Sequence, residues 1–236
     1  NLEGGLKDNA IPRECTAQII VAPDEAAAVK ASIEQAAAEI AEEFKASDPD
    51  LKLAVSEETD CRESAIGAKD SARVIALIEA LPNGIIRMSR EIDKLVETSL
   101  NLGVLKSDDA AVTLRYAVRS SVCVAKKSLK HQLVCITGAY AAEFTFEGDY
   151  PAWEYKKDSK LREDMVRIFE EMYGKKPTVE AIHAGVECGL LSGKIEGLDC
   201  ISMGPDMYDI HTTEERLSIS SAKRSYEYIL RVIACK

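Results

Sequence analysis

Apolar residues recur at helical spacing in several stretches of the chain and alternate with polar ones in others. The two periods together predict an α/β protein. Residues 15–21 are rich in β-branched side chains with partial alternation and read as a strand. Pro23 and Asp24 then open a long helix to about residue 46, with Asp24 as its N-cap and Val29, Ile33, Ala36, Ala37, Ile40 and Phe44 on one face. Its many alanines suit close packing against a sheet. Residues 51–56 alternate and read as the next strand, which completes a first β-α-β unit. A second helix is expected over residues 70–81, closed by the turn signal Pro82-Asn83-Gly84.

Residues 85–88 and 96–106 follow as strands, Asp108-Asp109 as a tight turn, and residues 112–120 as a strand that alternates through Val112, Leu114, Tyr116 and Val118. A helix over residues 121–142 and a strand over 143–147 repeat the strand-helix-strand pattern, without any repeat of sequence. Gly148-Asp149-Tyr150-Pro151-Ala152-Trp153 then breaks the rhythm and holds the only Trp. Beyond it come a charged amphipathic helix over 158–173 ending at Gly174, strands over 179–184, 199–203 and 216–219, a short helix over 185–191 and a closing helix over 220–234. The change in character places a domain boundary near residue 155, dividing the chain into 1–155 and 156–236. The second piece is small for a self-sufficient core and reads as part of a larger α/β domain.

Composition narrows the function more than the fold. The 40 acidic residues against 30 basic ones give a formal net charge of −10, which disfavours a nucleic-acid or anionic-membrane surface. No apolar run approaches the length of a membrane span, and nothing resembles a signal peptide. The seven cysteines are odd in number, include no Cys-x-x-Cys, and mostly sit in apolar runs. They read as buried free thiols of a reducing compartment, so a cytoplasmic location is expected. The chain opens on Asn1, as a processed product or a piece of something longer would.

Few residues offer chemistry on spacing alone. His131 lies among lysines on the polar side of a helix and reads as solvated. His183 precedes Ala184-Gly185-Val186-Glu187 where an apolar strand runs into a helix, a turn whose exposed N–H groups suit a carboxylate. An ordinary strand-to-helix connection fits the spacing better. His211 follows the strand end Gly204-Pro205 and precedes acidic residues, an arrangement that suits a metal ligand oriented by a carboxylate. One His makes no metal site, and taken alone a surface-loop residue is the commoner case. Arg119 ends a strand, where it could grip a carboxylate bidentately or simply sit on an exposed sheet face. No phosphate-binding loop, dinucleotide fingerprint or Gly-x-Ser-x-Gly elbow is present.

Taken in order, several segments resemble the aminoacyl-histidine dipeptidase family, also called peptidase D or cytosol non-specific dipeptidase. They are Gly4-Gly5 through Asn9-Ala10-Ile11-Pro12-Arg13-Glu14, Glu97-Thr98-Ser99-Leu100-Asn101-Leu102-Gly103, Arg119-Ser120-Ser121 and Gly148-Asp149-Tyr150-Pro151-Ala152-Trp153. His183-Ala184-Gly185-Val186-Glu187-Cys188-Gly189, Ile201-Ser202-Met203-Gly204-Pro205 and His211 to Glu215 complete the set. The resemblance implies an inserted lid domain over 1–155, an antiparallel sheet with helices packed on it, followed at 156–236 by the C-terminal part of an α/β metallopeptidase domain.

It also implies roles. His211 matches the last metal ligand, although Thr212-Thr213 departs from the family's Ser-Pro at that point. Asn9 and Arg119 match lid residues that reach the substrate, with Arg119 on the dipeptide's carboxylate. Gly185 and Glu187 match the turn that lines the substrate pocket, where Glu187 could receive the α-ammonium. Two divalent metals, usually zinc, activate a bridging water in such enzymes, with a glutamate as general base. The other ligands and that base belong to motifs upstream of the lid, so this chain alone is expected to bind no metal firmly and to be inactive. A homodimer through the lid is a further expectation. The alternatives are a related amidohydrolase or aminoacylase, and a non-catalytic interaction module.

Overall fold

A helix can form on its own residues, whereas a strand needs a neighbour, and that difference decides which expected elements exist. The computed structural model describes residues 1–58, 65–182, 187–210 and 212–235. Its elements begin β1 (Leu2–Gly4), β2 (Cys15–Ala17), α1 (Ala26–Phe44), α2 (Ala68–Ala80), β3 (Gly84–Met88), β4 (Val96–Ser107) and β5 (Val112–Ser120). They continue α3 (Cys123–Ala139), α4 (Lys160–Tyr173), α5 (Glu187–Lys194), β6 (Met207–Tyr208), β7 (Arg216–Leu217) and α6 (Ile219–Ala234). The mixed α/β class and the antiparallel pairing are as expected. No helix among the described residues is long and apolar enough to cross a membrane. The chain divides into two compact units, Asn1–Ile78 with Leu102–Arg115, and Glu79–Asn101 with Tyr116–Lys236.

In the first unit β1 pairs antiparallel with β2 (Gly4↔Cys15) and with the C-terminal half of β4 (Gly4↔Leu105). The Ser107 hydroxyl accepts from the Leu2 N–H at 2.7 Å and donates to Asn1 Oδ1 at 2.8 Å, fixing the chain start to the end of β4. Two glycines make the crossing possible. A Cβ on Gly5, whose φ is +68°, would lie 2.0 Å from the Gly103 carbonyl oxygen, and one on Gly103 would lie 2.3 Å from that of Asp8. Directly after Ser107 the Asp108 carboxylate accepts from the Ala110 and Ala111 N–H groups, which build the expected turn and hold its pKa below the usual value.

Helix α1 spans most of its expected range but differs in two respects. Its N-cap is Glu25 rather than Asp24, without a side-chain cap bond, because residues 22–25 already turn through the Glu25 N–H to Ala22 carbonyl bond at 3.0 Å. None of its residues is buried, so its alanines pack on no sheet. Residues 51–56 form no strand with any described segment, since alternation supplies side-chain faces but no ladder partner. A cavity of about 530 Å³ lies among Ile19, Leu53 and the α1 residues Val29, Ile33 and Ala36.

In the second unit β3 pairs antiparallel with the N-terminal half of β4 (Gly84↔Leu100, Met88↔Val96) through an irregular register. Thr98 and Leu100 are almost wholly buried, and Thr98 Oγ1 shares a 2.9 Å hydrogen bond with Ser120 Oγ at the end of β5. Helix α3 buries Ala125, Leu129, Leu133 and Thr137, each four residues from the last. Helix α4 begins where Ser159 Oγ accepts from the Arg162 N–H and ends at Gly174 in the left-handed region. It packs on α6: Phe169 meets Tyr228 edge-on at 5.4 Å, and the Tyr228 hydroxyl donates to the Met165 carbonyl at 2.6 Å. Burial raises the Tyr228 pKa.

Residues 143–147, 179–182 and 199–203 are not strands, contrary to expectation, and 216–219 shrinks to the two-residue β7. Residues 183–184, the rest of one expected strand, lie outside the described residues. The cysteines also differ: the described ones are free, but Cys15, Cys123, Cys135 and Cys235 are exposed and Cys188 and Cys200 half-buried. Cys135 shows the reason. Its sequence neighbours are apolar, yet it falls off the buried 125-129-133-137 line of α3.

Replacing Gly103 with Ala should force β4 and the 5–8 segment apart. The expected cost is about 1–3 kcal/mol, as for overpacked sites generally, read as a lower urea midpoint with unchanged m-value.

Candidate functional site

Residues 148–154 carry the lone Trp across the second unit and organise what surrounds it. The Lys126 ammonium on α3 pairs with the Asp149 carboxylate at 2.5 Å and also donates to the Tyr150 carbonyl. Glu154 Oε1 accepts from the Cys123 N–H at 2.9 Å, capping the start of α3. Pro151 and Trp153 then lie against α5. A Cβ on Gly189 would approach the Pro151 carbonyl to 2.8 Å and Trp153 Cβ to 3.4 Å, and one on Gly193 would sit 3.3 Å from the Pro151 ring. The two glycines, four residues apart, make a flat strip on α5 that the Tyr-Pro-Ala-Trp segment covers.

Behind this segment is a cavity of about 1430 Å³, walled in part by Glu97, Trp153, Arg162, Asp199, Ser202 and Arg224. Asp199 is its best-anchored acid. One carboxylate oxygen accepts from Ser159 Oγ at 2.7 Å and the other from the Leu161 N–H at 3.0 Å, at the N-terminus of α4. Burial pushes the Asp199 pKa up. The bonds from Ser159 and Leu161, with the positive charges of Lys156 and Arg162, overcome it and hold the carboxyl below its usual value.

After residues 199–203 the chain forms a small hairpin, β6 with β7, in the register Met207↔Leu217 and Tyr208↔Arg216. Several bonds frame its loop. Asp209 takes a positive φ of 53° and pairs with Arg216 at 2.6 Å, while Thr212 Oγ1 donates to the Asp209 carbonyl at 2.7 Å and accepts from the Glu214 N–H. The hairpin is tied back to α6 by the Asp206 N–H donating to Ser221 Oγ at 2.8 Å.

The expected site residues are placed as follows. His211, His183 and Gly185 lie outside the described residues. Glu187 is exposed at the first position of α5, where its charge complements the helix N-terminus. Arg119 is exposed near the end of β5, and the chain beyond it is fixed by the Ser121 N–H to Glu97 carbonyl bond at 3.0 Å. Asn9 belongs to the other unit, exposed in the turn that Gly103 accommodates. Neither Arg119 nor Glu187 lines the 1430 Å³ cavity. The described residues contain no group of three or more His, Cys, Asp or Glu side chains able to hold a metal ion. Sequence reasoning missed the Asp199–Ser159 pair, forty residues apart, for which no local signal exists. The Gly189 and Gly193 strip could have been suspected from its four-residue spacing.

Comparison with known proteins settles the family. The model of Peptidase family M20/M25/M40 matches residues 5–234. The chain belongs to that family. It is 30% identical over 221 residues to the cytosol non-specific dipeptidase of Escherichia coli (strain K12), a match that covers 94% of this chain and 45% of that protein. The crystal structure of aminoacylhistidine dipeptidase from Vibrio alginolyticus superposes with a TM-score of 0.86 at 28% identity, covering 99% of this chain and 48% of the other. A more distant likeness is to aminopeptidase PepT from Bacillus cereus ATCC 10987, with a TM-score of 0.51 at 16% identity over 69% of this chain and 44% of that one. It supports the fold alone. The chain therefore spans about half the length of the relatives it matches.

Asp199→Asn should remove two charge-assisted bonds from the start of α4, at a cost of about 2 kcal/mol. Because the folded pKa is depressed, this contribution is present above the unfolded carboxyl pKa of about 3.9 and is lost as pH falls through the lower folded value. Urea titrations between about pH 6 and pH 2 should show wild-type stability falling more steeply than that of the variant.

Proposed function

We propose that this chain is part of a metal-dependent dipeptidase that hydrolyses Xaa-His and related dipeptides through a metal-activated water. The observation that carries this reading is the match to a peptidase family over residues 5–234, joined to 30% identity with a dipeptidase across 94% of the chain. In this reading residues 1–155 are lid and 156–236 the end of the catalytic domain, and the enzyme works in the cytoplasm, with the lid as the contact of a homodimer.

The chain would contribute recognition more than reaction. Arg119 holds the dipeptide carboxylate through paired N–H donors. Glu187 at the head of α5 receives the α-ammonium, and Gly185 and Asn9 are the other residues that the resemblance assigns to the substrate. His211 is the one metal ligand assigned to this chain. A single imidazole does not hold a metal pair, so the described residues with His211 do not make up a metal site by themselves. Two divalent ions, zinc by the preference of such sites, would need further donors and a general base from the half of the relatives' length that this chain does not span.

The test compares the chain alone with the chain joined to the unmatched N-terminal portion of the Escherichia coli dipeptidase, each supplied with zinc and an Xaa-His dipeptide. Hydrolysis by the joined protein and none by the chain alone is expected; turnover by the chain alone overturns the reading. In the joined protein Arg119→Ala should lower kcat/KM by about 10- to 150-fold, chiefly through KM, as loss of charged hydrogen bonds of about 1.5–3 kcal/mol implies. His211→Ala should abolish turnover and lower zinc stoichiometry by mass spectrometry.

A further inference from the structure

Position 98 on β4 is 1% exposed and holds a Thr. The β-branched shape suits a strand, but Val has that shape without a hydroxyl to strip of water. What the hydroxyl adds is a bond: Thr98 Oγ1 lies 2.9 Å from Ser120 Oγ, twenty-two residues along the chain. Ser120 is also buried. Its hydroxyl donates to the Val122 carbonyl at 3.0 Å and accepts from the Val122 N–H at 3.2 Å. A hydroxyl has one proton and two lone pairs, so with the Ser120 proton on Val122 the Thr98 hydroxyl is the donor to Ser120. Glu97 Oε1, at 3.4 Å from Thr98 Oγ1, is the longest contact of the set.

The bond is one half of a clamp. One residue earlier on β4, the Glu97 carbonyl accepts from the Ser121 N–H at 3.0 Å. Two successive residues of β4 thus hold the two residues that follow Arg119, one through side chains and one through backbone. Further on, Glu154 Oε1 accepts from the Cys123 N–H and fixes where α3 starts. Arg119 is exposed, and because side chains alternate along a strand it stands on the opposite face from buried Ser120. The direction in which its side chain leaves the sheet is set by the backbone at the strand end. A guanidinium that grips a carboxylate through two parallel bonds needs that direction held, since a tilt weakens both bonds together.

We propose that Thr98 is a positioning residue for substrate binding: its hydroxyl, by holding Ser120, fixes the strand end that presents Arg119 to the dipeptide carboxylate. The inference rests on the proposed function for the role of Arg119. Thr98 is too buried to meet substrate itself and acts through Arg119 alone. Its loss therefore costs nothing once Arg119 is gone.

The test is a double-mutant cycle in the chain joined to the unmatched N-terminal portion of the Escherichia coli dipeptidase, with zinc and an Xaa-His dipeptide. Thr98→Val should lower kcat/KM about 5- to 10-fold, chiefly through KM, because a misdirected group loses part of its binding. In the Arg119→Ala background the same change should lower it by less than about twofold. Thr98→Ser, which keeps the hydroxyl, should stay within about twofold of the parent. Ser120→Ala removes the bond from its other end and should reproduce the Thr98→Val pattern, so the result does not hang on the folding of one variant. In the chain alone, the Ser121 and Val122 amides should exchange hydrogen about tenfold faster in Thr98→Val.

Equal losses with and without Arg119 mark a merely structural role and overturn the inference, as does unchanged exchange at Ser121 and Val122. Full activity in Thr98→Val and Ser120→Ala, beside an Arg119→Ala variant that loses it, overturns the inference and leaves the role of Arg119 standing. A joined protein that hydrolyses nothing, or one that is indifferent to Arg119→Ala, sinks the functional reading and the inference with it.

Discussion

One carboxylate sets the geometry of the second unit. Asp199 closes the N-terminus of α4 with one oxygen on Ser159 and the other on the Leu161 amide, a span of about forty residues. Four N–H groups at a helix start have no partner within the helix, so a carboxylate placed there is both a hydrogen-bond acceptor and a counter-charge to the dipole. The consequence propagates in both directions along the chain. Downstream of Asp199 lie Cys200 to Met203, the tie of Asp206 to Ser221, and the β6–β7 hairpin. From α4 the constraint passes through Phe169 to Tyr228, which fixes the roll of α6 about its own axis. That roll determines which side of α6 is covered and which is left apolar and open.

The same logic separates what the sequence made legible from what it did not. Helices α2, α4 and α6 lie within two residues of their expected ends, because capping residues such as Ser159, Gly174 and Ser218 act on the backbone within a turn. Strand β5 matches its expected range and the Asp108 turn forms, since a hairpin needs only adjacent segments to pair. The failures are all strands that require a distant neighbour. Residues 51–56, 143–147 and 199–203 have the right side chains, but pairing is a property of two segments, and no described strand pairs with them. Alternation reports a face, not a partner. The exposed cysteines fail for a related reason, since local apolar context does not say which face of a helix is inside.

The candidate site divides in the same way. Arg119 and Glu187 are legible as strand-end and helix-start residues, and the structure does place them at those ends. What spacing alone could never give is their chemistry, because an exposed Arg at a sheet edge is also the ordinary state of an Arg. The proposed roles rest on the resemblance, and the structure contributes neighbouring scaffolding: Thr98 bonded to Ser120, the residue after Arg119, and Trp153 against Gly189, two residues after Glu187. Such supports matter because a recognition group held loosely loses orientation and with it affinity.

The exposed apolar surface of this chain is ordered along α6 rather than scattered. A domain buries most of its large aliphatic side chains, whereas α1 has no buried residue and α6 leaves Ile219, Ile229, Leu230 and Ile233, with Tyr226, exposed on one side. Random loss of packing would scatter exposed residues around each helix. On α6 they fall instead in one sector adjoining the covered one, with Lys223 and Glu227 between successive stripe residues on the polar side. The order of that pattern sets α6 apart from a helix that has merely lost packing. Hydrophobic burial is non-directional, so the registry of these side chains follows from the α4 face that fixes the roll of the helix, and not from their apolarity.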